Sequence, residues 1–179
     1  MGRAAKVERI GSEDKGSERK GVERIGYRLL WLSAAVILID QLTKEFFLDY
    51  VAPFSRVPVI EGFFDWTLTF NEGVAFSLFG DGGELQRILL SSFAVLVSIG
   101  FMIWMARMPK SDRWSAIALA LIIGGALGNV IDRIIHGHVI DFILLYWRTY
   151  HWPAFNVADS CIVAGAILLV LAGFRGEGK

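Results

Sequence analysis

Two aspartates, Asp141 and Asp159, stand in the stretch "GHVIDFILLYWRTYHWPAFNVADSCIVAG", Gly137 to Gly165, whose other side chains are largely apolar. A carboxylate in so anhydrous a setting is paired, neutral or functional, because its desolvation is otherwise uncompensated. Two carboxylates close enough to share one proton have a defined chemistry. Repulsion splits their apparent pKa values, leaving one as an anion that takes a proton from water and the other as an acid that donates to a leaving nitrogen or stabilises an oxyanion. That is peptide hydrolysis without a covalent intermediate. The residues alone leave two other uses open: an ion- or proton-coupled membrane transporter, and a noncatalytic membrane scaffold.

Competing chemistries have weaker support. Ser160 and Cys161 have no evident histidine partner in the membrane, and a Ser/Lys arrangement would have to recruit Lys44 from span one. His136, His138 and His151 form no H-E-x-x-H pattern, and the single cysteine, Cys161, offers neither an internal disulfide nor a Cys-x-x-Cys metal site. The expectation is no metal, no cofactor and no nucleic-acid partner.

The elements that must position the two aspartates are membrane helices. The chain has 179 residues, 54% of them hydrophobic, with 18 basic and 18 acidic groups that avoid certain stretches. No charge occurs from Ile88 to Ala106 or from Trp114 to Ile131. At 1.5 Å per residue, either run makes a helix of roughly 27 Å, close to the hydrocarbon thickness. A first span is expected from about Arg28 to Phe47, although it admits Asp40, Gln41 and Lys44, and a fourth from about Phe155 to Phe174 with Asp159 near its start. Segment 1–28 holds eight Lys or Arg, and the link between spans two and three holds Arg107, Lys110 and Arg113. These segments are expected to be cytoplasmic, which puts both termini inside and links 49–84 and 133–153 outside. Asp141, just past the outer end of span three, and Asp159, about one turn into span four, then meet at one depth.

Segment 1–26, with "VERIG" at Val7–Gly11 and again at Val22–Gly26, reads as a charged, disordered cytoplasmic tail, 27–174 as the membrane domain and 175–179 as a second cytoplasmic tail. Within the outer segment of about 49–84, Trp66, Leu68 and Phe70 alternate with Asp65, Thr67 and Thr69, which predicts a strand ending at Asn71 and Gly73. A strand cannot lie bare in lipid, so it is expected at the membrane surface, before "VAFSLFG" returns the chain to span two. The fold class is an all-α polytopic membrane protein of four transmembrane helices with a small β-containing periplasmic subdomain.

Five ordered blocks carry a resemblance: "DQLTK" at Asp40–Lys44, "NEGVAF" at Asn71–Phe76, "GGALGNVIDR" at Gly124–Arg133, "VIDF" at Val139–Phe142 and "FNVADS" at Phe155–Ser160. In these the chain resembles bacterial lipoprotein signal peptidase, or signal peptidase II, from about Leu29 to Phe174. The resemblance implies a monomeric, multi-pass inner-membrane aspartic endopeptidase whose active pair, here Asp141 and Asp159, lies near the periplasmic face. It implies cleavage of diacylglyceryl-modified prolipoproteins before the lipidated cysteine, contact with membrane phospholipid and inhibition by the cyclic peptide globomycin. Substrate contact or site support is implied for Asn71, Gly73, Asn129, Arg133 and Asn156. Asp40 and Lys44, an i,i+4 pair, are expected to neutralise each other beneath the site. Asn156, three residues before Asp159, could also cap span four. Asp132 is expected to balance Arg133, and Gly124, Gly125, Ala126 and Gly128 to admit a helix or a substrate backbone.

Overall fold

The computed structural model describes residues 27–73 and 83–176. The charged segment 1–26 with its repeat, the "VAFSLFG" return and the final residues 177–179 lie outside the described residues. Among the described residues the helices are α1 (Leu30–Tyr50), α2 (Gly83–Arg107), α3 (Arg113–Ile135) and α4 (Val157–Gly176). Three stretches, Gly83–Arg107, Arg113–Ile135 and Val157–Phe174, are long and apolar enough to cross a membrane, with mean hydropathies of 2.3, 1.9 and 2.2. α1 has the length, 21 residues, but dilutes its hydropathy with Asp40, Lys44, Glu45 and Asp49. Its buried residues explain how such a helix can still span. Ser33, Val36, Asp40, Lys44 and Phe47 recur every three or four positions and form one stripe, while Trp31, Leu38, Ile39, Leu42 and Phe46 are exposed around it. Asp40 and Lys44 face protein, whereas Glu45 and Asp49 are exposed toward the end of the helix and the apolar side chains face outward.

Lipid supplies no hydrophobic drive between helices, so close packing and internal hydrogen bonds hold them together. α3 is the central helix, and its glycines allow the close approach. A Cβ at Gly124 would meet Val36 and the Ser33 carbonyl of α1, one at Gly125 the Ala158 carbonyl of α4, and one at Gly128 the Asp40 carboxylate. Ser33 Oγ also donates to the Ala120 carbonyl across the α1/α3 contact at 2.7 Å. The small-residue face is therefore filled by α1 and α4, which is the helix-packing alternative of the two expected for it. Apolar packing concentrates at the two ends of the bundle. Met105, Met108, Leu119 and Ile123 pack with Leu29, Leu30 and Leu32 at one end. At the other, Phe47, Leu68, Ile140 and Phe142 join α1 to a sheet, with the Phe47 and Phe142 rings stacked at 4.2 Å.

That sheet is antiparallel, in the order β1 (Arg56–Ile60), β2 (Phe64–Asn71), β3 (Val139–Trp147), β4 (Tyr150–His151). β2 is the strand expected from alternation, and Leu68 of its apolar face is buried. Its polar face is covered too: Asp65 accepts from the Tyr146 hydroxyl at 2.9 Å, and Thr67 Oγ1 donates to the Ser55 carbonyl at 2.7 Å. The sheet also draws β3 and β4 from the second outer link, so it extends beyond segment 49–84. Consequently Asp141 is held on strand β3, paired with Thr69 of β2, rather than on a connection trailing from α3.

Candidate active site

Asp141 reaches the site from β3 and Asp159 from the first turn of α4. One side chain, fully buried Asn156, joins them. Its Nδ2 donates to Asp141 Oδ1 at 2.7 Å, and its Oδ1 accepts from the Asp159 backbone N–H at 2.9 Å. The Asn156 backbone N–H points back to Asp159 Oδ2 at 3.4 Å, which completes a reciprocal cap at the start of α4. Asn156 therefore caps the helix and bonds the first carboxylate with the same amide, so the two expected roles are one.

The other oxygen of Asp141, Oδ2, accepts from Asn71 Nδ2 at 3.1 Å. Asn71 is held in turn: its Oδ1 accepts from the Gly73 N–H at 2.8 Å, in a turn where Gly73 has φ +89°. Any Cβ at Gly73 would also crowd Leu90 and Gln86 of α2. Gln86 Nε2 donates to the Glu72 carbonyl at 3.2 Å and to the Gly73 carbonyl, tying this turn to α2. Because backbone N–H groups occupy the amide oxygens of both Asn71 and Asn156, each must present its NH₂ to Asp141. Even so, burial, followed by the charge of Asp159, pushes the Asp141 carboxyl up to about 7, against the hydrogen bonds from Asn71 and Asn156 and the charge of Lys44. Near neutral pH this carboxyl therefore stands midway between its protonated and ionised forms.

Asp159 Oδ1 accepts from Asn129 Nδ2 at 2.8 Å. Asn129 Oδ1 accepts from Lys44 Nζ at 3.0 Å and from Asn156 Nδ2 at 3.2 Å, so this amide also has one possible orientation. Lys44 Nζ lies 2.7 Å from Asp40 Oδ2 and 2.7 Å from Asp132 Oδ2, and all three side chains are buried. Asp132 is thus a partner of Lys44, Gln41 and the Ile140 N–H, and its charge also acts on Arg133 as expected. Arg133 is half-buried one turn beyond Asn129. Its Nη1 donates to the Asn129 carbonyl at 3.3 Å, which engages one of five guanidinium N–H groups.

All the candidate residues thus join one hydrogen-bonded network, Gly73 through its backbone N–H to Asn71 and Arg133 through the Asn129 carbonyl. Gln41 and Gln86 are additions to the expected set, and Asp132 gains Lys44 as an ion-pair partner. Gln41 follows Asp40 directly and so lies about 100° around the helix, where no periodicity marks it. Gln86 acts on a turn distant in sequence. An open groove of about 410 Å³ over the sheet is lined by Phe54, Arg56, Thr67, Thr69, His151 and Trp152 among others, and by none of the candidate site residues. Its nearest link to the site is Thr69, the strand partner of Asp141.

The family model for signal peptidase (SPase) II matches residues 32–175. Lipoprotein signal peptidase of Pseudomonas putida is 47% identical over 149 residues, covering 83% of this chain and 87% of that protein. The Pseudomonas fluorescens protein of the same name is 50% identical over 153 residues, covering 84% and 90%. Among solved structures, a bacterial membrane enzyme determined by the in meso method at 2.3 Å resolution superposes with a TM-score of 0.74 at 26% identity, over 87% of this chain and 92% of that one. The chain therefore belongs to the signal peptidase II family, as a multi-pass inner-membrane peptidase of the aspartic type that acts on lipoprotein precursors.

Proposed function

We propose that Asp141 and Asp159 are the reacting pair, and that the bond they cleave precedes the diacylglyceryl-modified cysteine of a prolipoprotein. The observation that carries this is the pair's shared anchor: the Asn156 amide grips Asp141 at 2.7 Å and the Asp159 N–H at 2.9 Å, in a site where Asp141 is held half-protonated near neutral pH. With one proton between them, Asp159 takes a proton from water as the water oxygen attacks the scissile carbonyl carbon. Asp141 stabilises the forming oxyanion. The C–N bond then breaks, the leaving nitrogen takes a proton from the pair, and the products are a carboxylic acid and a free amine.

Arg133 supplies donors to a substrate carbonyl. The acyl chains occupy lipid-facing clefts between helices, where each buried methylene contributes about 0.8 kcal/mol relative to water. The enzyme works as a monomer with both termini cytoplasmic and the sheet on the periplasmic side, in contact with phospholipid, and globomycin-like cyclic peptides compete for the same site. The test is cleavage and retention of a lipidated precursor by Asp141→Asn and Asp159→Asn enzymes. Retained binding without cleavage is expected, and normal cleavage by either folded variant would remove the pair assignment.

A further inference from the structure

Beneath the pair, Lys44 points its three N–H donors at three acceptors. They are Asp40 Oδ2 and Asp132 Oδ2, each at 2.7 Å, and Asn129 Oδ1 at 3.0 Å. Each acceptor leads to a reacting aspartate. Asp40 Oδ1 accepts the backbone N–H of Ala158 at 2.8 Å, immediately before Asp159. Asp132 Oδ2 accepts the backbone N–H of Ile140 at 3.1 Å, immediately before Asp141. Asn129 donates to Asp159 itself. A second tie closes the arrangement, because Gln41 Nε2 lies 2.8 Å from Asp132 Oδ1 and 3.3 Å from Asp40 Oδ2.

We propose that the buried Asp40–Lys44–Asp132 triad, bridged by Gln41, sets the spacing and orientation of the two reacting carboxylates, with Lys44 and Gln41 as positioning residues. The helices do not need an ion cluster merely to pack. The glycines of α3 already seat α1 and α4, and a buried ion pair is commonly no more stabilising than apolar residues of the same volume. What apolar residues cannot do is accept the N–H groups of Ala158 and Ile140. Those two groups lie at the start of α4 and near the start of β3, elements that the Ile143–Phe155 bridge and the Asn156 amide join from one side and that the cluster joins a second time from beneath. Lys44 draws the two accepting carboxylates onto one ammonium and thereby ties both elements of the site to a common point. It also fixes the Asn129 amide, since an ammonium can only donate, and so makes Asn129 a donor to Asp159.

This inference rests on the assignment of Asp141 and Asp159 as the reacting pair. Its test uses the full-length enzyme in a bilayer or detergent with a lipidated precursor, comparing Lys44→Met, Gln41→Met, Asp141→Asn and Asp159→Asn for kcat, KM and thermal unfolding. A displacement of about 1 Å at a reacting group can cost about 100-fold in rate. Lys44→Met is therefore expected to lower kcat by about 100-fold, and Gln41→Met, at the half-buried edge of the cluster, by about tenfold, with KM changed less than about twofold in both. Normal kcat in folded Lys44→Met would overturn the inference. If Lys44→Met does not fold, Gln41→Met decides alone: a fall in kcat at unchanged KM and unchanged melting temperature supports positioning, and normal kcat overturns it. If the two aspartate variants are inactive while Lys44→Met and Gln41→Met cleave normally, only the positioning role fails. If either aspartate variant cleaves normally, the pair assignment itself fails.

Discussion

Replacing Asp141 by Asn should flatten the pH dependence of the enzyme's stability, and the size of the effect follows from the site. Folding moves the Asp141 carboxyl from 3.8 to about 7, through burial first and the charge of Asp159 second. The folded protein therefore binds a proton that the unfolded chain has released throughout that interval. For a carboxyl raised in this way, the favourable contribution is full below about pH 4 and is lost as pH rises through about 7. At 1.36 kcal/mol per unit the ceiling is about 4 kcal/mol. The charges that face Asp141 are Asp159 of α4, Lys44 of α1 and Arg133 of α3, and all remain in the variant. The substituted amide cannot ionise, so the slope lost in the variant belongs to Asp141. That amide does face two NH₂ groups, from Asn71 and Asn156, with one oxygen instead of two, which should cost about 1–3 kcal/mol at every pH. The variant should accordingly be less stable near pH 4 and approach or exceed the parent near pH 8. Unfolding of both proteins between pH 4 and 8 in one detergent gives the difference curve. A constant difference across that range would refute the burial argument.

Arg133→Lys keeps the charge but loses the planar fork, so cleavage should fall about tenfold or more with little change in unfolding temperature; normal cleavage would remove Arg133 as a substrate clamp. Gly125→Ala drives a Cβ into the Ala158 carbonyl at the start of α4, so it should cost about 1–3 kcal/mol in stability and lower kcat through Asp159; unfolding and cleavage measured together check both. Asn156→Ala removes the cap of α4 and one donor to Asp141, so about 2–4 kcal/mol of stability should go along with activity, and unfolding measurements would show it. Unmodified precursor should be cut far less efficiently than diacylglyceryl-modified precursor in the same bilayer, and equal kcat/KM for the two would contradict lipid recognition.

What can be read from the chain depends on the range of the interaction. The charge-free runs 88–106 and 114–131 identify α2 and α3 because membrane length is a local property, and the alternation around Trp66 and Phe70 identifies β2 for the same reason. β3 is not legible in this way. "VIDFILLYW" packs on both faces, so it lacks the period-two signal, and its partner lies some 70 residues upstream in the chain. Both Asp141 and Asp159 stand out because lipid makes isolated carboxylates conspicuous. Gln41 carries no charge and does not. For Asp132 the neighbour in sequence, Arg133, shows only part of its surroundings, because the partner at ion-pair distance, Lys44, comes from another helix altogether.

Whether Asp141 and Asp159 act as one acid/base unit is decided by a double-mutant cycle on cleavage. The enzyme, Asp141→Asn, Asp159→Asn and the double variant would be compared for kcat on one lipidated precursor, with folded fraction and precursor binding measured on each. If the pair works as a unit, either single change removes the shared proton's route, and the double variant should be no slower than the singles, at the residual rate left by positioning alone. Multiplicative losses, with each variant folded and binding precursor, would mean that the two carboxylates act independently and share no proton in the reaction.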